Sequence, residues 1–274
     1  MSGGGTHGAA TSTALLPVLH GSAHAGHVLG ASPAGLYLHF ESVSGAPDVV
    51  AVLPTSSVRL PLGMVSATPL PAVAPDAVVE IGDGWLRVGG HGWHTLRWFQ
   101  PRPPKCRPPR GELLEASELL LRNVSEAQIG VCSARAWAAA TALAGGDPEP
   151  CCELLGDGPG LTPAGDDIIA GALAGCSLSG AGPSCKAVDM LLSRARTATT
   201  ALSAALLSCA AAGQVVPQAA HFLRALTGAA PLMPALGQLR AVGSTSGTAL
   251  AVGLVAALAS ARREQLAVLP SPTA

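Results

Sequence analysis

Pro101-Arg-Pro-Pro-Lys-Cys-Arg-Pro-Pro-Arg110 separates two unlike halves of this chain. Each proline fixes φ and lacks an N–H, so neither a helix nor a central strand runs through the segment. Upstream, short apolar runs alternate with Gly, Pro, Asp and Ser: Gly35-Leu-Tyr-Leu-His-Phe40, Asp48-Val-Val-Ala-Val-Leu53, Val78-Val-Glu-Ile81 and Trp85-Leu-Arg-Val88. That pattern predicts β-strands joined by turns. Asp83-Gly84 between the last two runs is a hairpin signal. Downstream the apolar period becomes helical, predicting helices over residues 111–122, 131–144, 166–177, 185–212, 217–226, 231–242 and 246–263, with the stretch 185–212 long enough to be kinked or split. The expected fold is therefore α+β. A small β-rich domain spans 13–101, with a barrel as one way to close it. A proline-rich connector spans 102–112, and a mostly helical domain spans 113–274. Residues 1–12 are rich in Gly, Ser and Thr and are expected to be a disordered tail.

Composition excludes several classes of function. The 274 residues carry a formal net charge of -1 and include only two lysines, Lys105 and Lys186, which is not the basic footprint of a nucleic-acid binder. Hydrophobic residues make up 49% and aromatics 3%, so Ala, Leu and Val must build the core and helices must pack closely. The longest apolar runs, 168–176, 201–212 and 249–259, fall short of the roughly 20 residues a membrane-spanning helix needs. No basic segment precedes an apolar run at the N-terminus, so a cytoplasmic protein without a secretion signal is expected. The seven cysteines are odd in number and match no disulfide scaffold. Reduced thiols, most of them serving as small core residues, are the expectation.

The chemistry concentrates in two loops. In the first, Gly156, Gly158, Gly160 and Gly165 permit unusual φ values and close approach to the backbone. Thr162-Pro163 fits a helix N-cap followed by proline at the first helical position. Amides at such a helix start favour phosphate and carboxylate, so Gly158, Gly160, Leu161, Thr162 and Gly165 are candidate anion-binding residues. Asp166 and Asp167 are the candidate catalytic pair. Acidic side chains at a helix start are stabilised by its dipole whatever else they do, by roughly 0.3–1 kcal/mol. Adjacent helical residues point about 100° apart, so one carboxylate can face a ligand while the other caps the helix. The ligand-facing carboxylate would bind a substrate N–H, take a proton, or hold Mg²⁺ through oxygen. Two carboxylates alone do not make a metal site, and Asp147, Glu153 and Asp157 are the candidates for further ligands, on sequence proximity alone.

The second loop, Gly243-Ser-Thr-Ser-Gly-Thr248, offers Gly243, Thr245, Ser246 and Gly247 as further anion-binding candidates. Thr200 and Ser203 lie three residues apart on a predicted helix and share a face. They either line the pocket or bond back to helix carbonyls. An internal echo links the loops. Gly165-Asp-Asp-Ile-Ile-Ala-Gly171 resembles Gly247-Thr-Ala-Leu-Ala-Val-Gly253, each after a short Gly/Thr segment. His20, His24 and His27 have no Cys or acidic neighbour, and no metal site is expected there.

Gly158-Pro-Gly-Leu-Thr-Pro-Ala-Gly-Asp-Asp167, followed by an apolar Gly/Ala helix, resembles the signature of a family named for one subunit of oxamate carbamoyltransferase (AllH-like, formerly a domain of unknown function). Thr200, Ser203 and Gly243-Ser-Thr-Ser-Gly247 follow in the family's order, with Ser244 where a histidine is expected. The resemblance implies a β-rich part followed by a helical part, and a place in allantoin degradation. It implies transfer of the carbamoyl group of carbamoyl phosphate to oxamate, within a complex with other subunits. Two other readings of the residues stand beside it. One is a Mg²⁺-dependent helical hydrolase using Asp166 and Asp167, and the other is a non-catalytic scaffold subunit.

Overall fold

The computed structural model describes residues 4–41, 46–105, 107–180 and 182–267. The chain divides into two compact units, Met1–Pro101 and Arg102–Ala274.

The first unit is a closed eight-stranded barrel. Its strands are β1 (Thr6–Ser12), β2 (His24–Ser32), β3 (Gly35–Phe40), β4 (Val49–Leu53), β5 (Gly63–Ser66), β6 (Val79–Gly82), β7 (Trp85–Val88) and β8 (His91–Phe99). The order around the barrel is β1-β5-β4-β3-β2-β6-β7-β8. Neighbours are antiparallel except β1 with β8 and β4 with β5. Leu38, Phe40, Val50, Val52, Ile81, Leu86 and Trp93 fill the interior, joined by Val18 and Leu19 from the short helix α1 (Leu16–His20). The Asp83-Gly84 turn closes β6 onto β7 with Gly82 opposite Trp85. Both turn residues have positive φ, 49° and 81°, as a two-residue hairpin turn that follows the strands' twist requires.

The tail expected over residues 1–12 is not borne out where it is described. Residues 6–12 form β1, and Ala9, Ala10, Thr11 and Ser12 are buried. Small polar residues there serve a barrel seam, pairing with β5 and β8, which composition alone does not reveal. Residues 1–3 and Cys106 lie outside the described residues.

The second unit is helical: α2 (Arg110–Asn123), α3 (Glu126–Ile129), α4 (Ser133–Ala144), α5 (Glu149–Cys152), α6 (Ala164–Ser179), α7 (Cys185–Ala198), α8 (Ala201–Ala211), α9 (Pro217–Leu226), α10 (Leu232–Arg240) and α11 (Ser246–Ala267). The long helical stretch expected over 185–212 is split in two. Thr199 is extended, and Thr200 caps α8 by accepting from the Ser203 amide at 3.0 Å. A threonine hydroxyl that bonds a nearby amide competes with helix continuation. No helix among the described residues is long and apolar enough to cross a membrane. Among the described residues Cys132, Cys151, Cys152 and Cys185 are free thiols, and Cys151, Cys176 and Cys209 are buried.

α6 packs along α11 more extensively than any other pair of elements. A Cβ added to Gly171 would overlap the Leu250 carbonyl, and one added to Gly253 would overlap the Ile168 carbonyl. A Cβ on Gly175, one turn further along α6, would meet the Leu254 carbonyl, one turn further along α11 than Leu250. Contacts that advance together along both helices, with Thr162 beside Ser246 at their starts, make the two helices parallel, with their N-termini side by side.

Candidate functional site

The segments leading into α6 and α11 are built alike. Asp157 N–H donates to the Leu154 carbonyl, and Val242 N–H donates to the Leu239 carbonyl. Gly165 N–H then donates to the Asp157 carbonyl at 2.8 Å, and Gly247 N–H to the Val242 carbonyl at 2.9 Å. A Cβ on Gly165 would strike Leu154 O and the Asp157 Cβ, and one on Gly247 would strike Leu239 O and the Val242 Cβ. The sequence echo is thus a repeated loop-to-helix junction. In both copies the glycine is needed for close backbone approach.

Several expectations for these residues change. Thr162 does not cap α6. Pro163 holds that position with no side-chain cap, and the Thr162 hydroxyl lies 3.3 Å from the Ser246 hydroxyl at the start of α11. Gly165 and Gly247 do not offer free amides, because their N–H groups are committed to Asp157 and Val242. Gly156, Gly158 and Gly160 do take positive φ, at 75°, 118° and 98°. Leu161 is exposed, and its carbonyl accepts from the Thr200 hydroxyl at 2.6 Å. Gly243 has φ 62° and sits against Ser246, with Thr245 in the turn between them.

The two aspartates separate sharply. Asp166 is buried and fully engaged. Its Oδ1 accepts from Gly156 N–H at 2.9 Å, and its Oδ2 accepts from the Ser203 hydroxyl at 2.7 Å and from the Thr199 hydroxyl. It ties the first loop, α6 and the start of α8 together. A carboxylate with donors on both oxygens is well placed to hold three segments and poorly placed to take a cation as well. Ser203, read as facing a pocket or its own helix, faces Asp166. Thr199 was not singled out from the sequence. The Thr199-Thr200 pair inside an apolar helical run was its only signal.

Asp167 has an Oδ2 that is buried without a hydrogen-bond partner among the described residues. Burial pushes this carboxyl up to about 7, with the nearby Ser246 hydroxyl opposing the shift and the neighbouring Asp166 charge adding to it. The helix dipole opposes the shift by up to about 2 kcal/mol in a partly buried setting, less than the roughly 4 kcal/mol that a rise from 3.8 to about 7 represents. Burial therefore dominates. Ser246 joins the sites, since it touches Thr162 of the first loop and Asp167 of α6 while opening α11.

Arg135 braces the first loop from outside. It pairs with Asp157 Oδ2 at 2.9 Å and donates to the Glu153 carbonyl at 2.8 Å. Asp157 is thereby held by an arginine instead of joining Asp166 and Asp167 in a cation cage. Among the described residues no cluster of three His, Cys, Asp or Glu side chains is placed to hold a metal.

Two parallel helix starts, a buried carboxyl poised near neutrality and the Gly158–Asp167 run coincide in one segment. Residues 154–258 match the family described as oxamate carbamoyltransferase subunit AllH. This is the family that the Gly158–Asp167 run resembles. The AllH match takes in both loop-to-helix junctions, Thr199, Thr200 and Ser203, and lies wholly within the helical unit. No curated protein and no solved structure matches the chain.

Proposed function

We propose that the chain is a subunit of a carbamoyltransferase acting on carbamoyl phosphate and oxamate or a closely related small anion, with its reaction site where α6 and α11 begin. The carrying observation is Asp167: a half-buried side chain with one buried, unpartnered carboxyl oxygen, raised to about 7 beside the Ser246 hydroxyl. Such a group is split between its acid and base forms at neutral pH, which suits it to accept a proton during reaction.

In this reading the amide nitrogen of oxamate attacks the carbamoyl carbon, and the C–O bond to phosphate breaks. Phosphate leaves with the bonding electron pair. The nitrogen loses one proton, which Asp167 accepts, and oxalurate and phosphate are the products. The partial positive charges of two adjacent helix starts favour the anionic substrates. The hydroxyls of Thr162, Thr245 and Ser246 supply neutral donors. Asp166 is a positioning residue that holds the loop in shape. The engaged oxygens of Asp166 and the Arg135–Asp157 pair speak against the Mg²⁺ hydrolase alternative.

The test uses the chain assembled with its partner subunits, with phosphate and oxalurate measured after adding carbamoyl phosphate and oxamate. Asp167→Asn is expected to lower turnover by about 100-fold or more, the usual scale for losing a proton-transfer group. Full activity of that variant, or of the partners without this chain, would move the chain to a scaffold role.

A further inference from the structure

The barrel carries a polar cluster unrelated to the α6–α11 site. His7 on β1 and His91 at the start of β8 bring Nε2 and Nδ1 to 3.3 Å. Their rings stack at 5.5 Å, and His7 also stacks on Trp93 at 5.1 Å. The other nitrogen of His7, Nδ1, lies 2.9 Å from the Thr68 hydroxyl. Thr68 is held in turn by Ser66, whose hydroxyl accepts from Trp93 Nε1–H at 3.2 Å and from the Thr68 amide at 3.3 Å. With both lone pairs of Ser66 engaged, its proton is free to point to the Thr68 oxygen at 3.4 Å. The result is a continuous polar chain, Trp93–Ser66–Thr68–His7–His91, that fixes the His7 ring.

This arrangement has the parts of a metal chelate. Imidazole–metal bonds of about 2.0–2.1 Å at a tetrahedral ion set two nitrogens about 3.3–3.4 Å apart, which is the observed His7–His91 separation. Metal-binding histidines usually donate their second ring N–H to an oxygen that fixes the tautomer, and Thr68 stands in that place for His7. His91 also lines an open cavity of about 520 Å³ whose walls include Trp85, Arg87, Glu80 and the glycines at 89 and 90. Further coordination positions would open into that space, with room for water or a small ligand.

The geometry points to His7 and His91 as a two-nitrogen site for a first-row transition ion that prefers imidazole, such as Zn²⁺, Ni²⁺ or Cu²⁺. The site belongs to the barrel alone and stands or falls independently of the reading of Asp167. Another histidine pair serves as an internal control. His27 and His39 face each other across β2 and β3 with ring centroids 5.0 Å apart.

The full-length chain, stripped of metal, is titrated with Ni²⁺ and with Zn²⁺ by calorimetry. Imidazole ¹⁵N resonances are followed in the wild type. One equivalent is expected, with shifts at the His7 and His91 nitrogens. His91→Gln should abolish the binding and His39→Gln should leave it unchanged. Thr68→Val removes only the outer oxygen and should weaken binding by about 10–100-fold. Shifts at His27 and His39 instead, or full binding by His91→Gln, would overturn the assignment. So would a wild type whose His7 and His91 resonances ignore the metal, whether or not any variant folds.

Discussion

Replacing Asp167 by Asn should make the protein more stable and less active at once. The carboxyl is held at about 7 in the folded chain against an ordinary value of 3.8. At about 1.36 kcal/mol per pH unit, that displacement corresponds to roughly 4 kcal/mol. Water reaching the partly exposed side chain screens part of this charge, so about 2 kcal/mol is expected. The sign follows from linkage. Because the folded pKa is the higher one, the folded state binds more protons between about pH 4 and pH 7, and stability falls as pH rises through that window. Above about pH 7 the carboxylate is charged in both states and the deficit stands in full. Asn is neutral throughout and similar in shape. Urea unfolding, followed by far-ultraviolet circular dichroism, should therefore give wild type and Asp167→Asn nearly equal stabilities at about pH 3, with the gap opening above about pH 4 and reaching roughly 2 kcal/mol in favour of Asn at about pH 8. Parallel stability curves over that range would refute the placement of an uncompensated carboxyl at residue 167. A stability gain paired with lost turnover is the pattern expected where function retains a strained group.

Glycine substitutions separate close packing from local flexibility. Gly171→Ala, whose Cβ would meet the Leu250 carbonyl, should lower stability by about 1–3 kcal/mol. Gly237→Ala inside α10 meets nothing within 4 Å and should raise stability by about 0.5–1 kcal/mol; thermal melts of the two variants check both signs. Thr200→Ala removes the cap on the Ser203 amide and should cost about 1 kcal/mol, read from the urea midpoint.

Much of the architecture was legible along the chain because local rules governed it. β3 and β7 fall on the quoted apolar runs, and α9 spans the residues its periodicity marked. Asp83-Gly84 marked its hairpin because a turn with two positive φ values has few sequence solutions. β1 was hidden because a barrel seam tolerates the small residues of Thr6-His-Gly-Ala-Ala-Thr-Ser12, with burial coming wholly from distant partners. β2 was hidden by its glycines and histidines. A break within 185–212 was suggested by the length of that stretch, but its place at Thr199 was hidden because each residue around it is compatible with a helix, and only the buried Asp166 gives those hydroxyls a partner. At the candidate site the right segment was legible and the division of labour was not. Which of two adjacent carboxyls is satisfied depends on α8 and α11, 33 or more residues away in sequence.

The repeated junction separates what packing demands from what it does not. α6 and α11 face the same steric problem: each enters beneath a turn and crosses its partner at a glycine. Both solve it with Gly at equivalent places, Gly165 with Gly171 and Gly247 with Gly253. Those glycines would be required in a molecule with no ligand at all, so they are weak witnesses to binding. The positions that follow differ. Asp166 and Asp167 in the first copy correspond to Thr248 and Ala249 in the second. The second junction closes with a buried threonine and an alanine, so neither carboxylate is a condition of this construction. Asp166 has since acquired a structural use through Gly156, Thr199 and Ser203. Asp167 has no such use. It adds an unpartnered oxygen and an unfavourable charge where the other copy places a methyl group. In the proposed function Asp167 is the proton acceptor, and that role would account for a burden that the other copy of the junction does without.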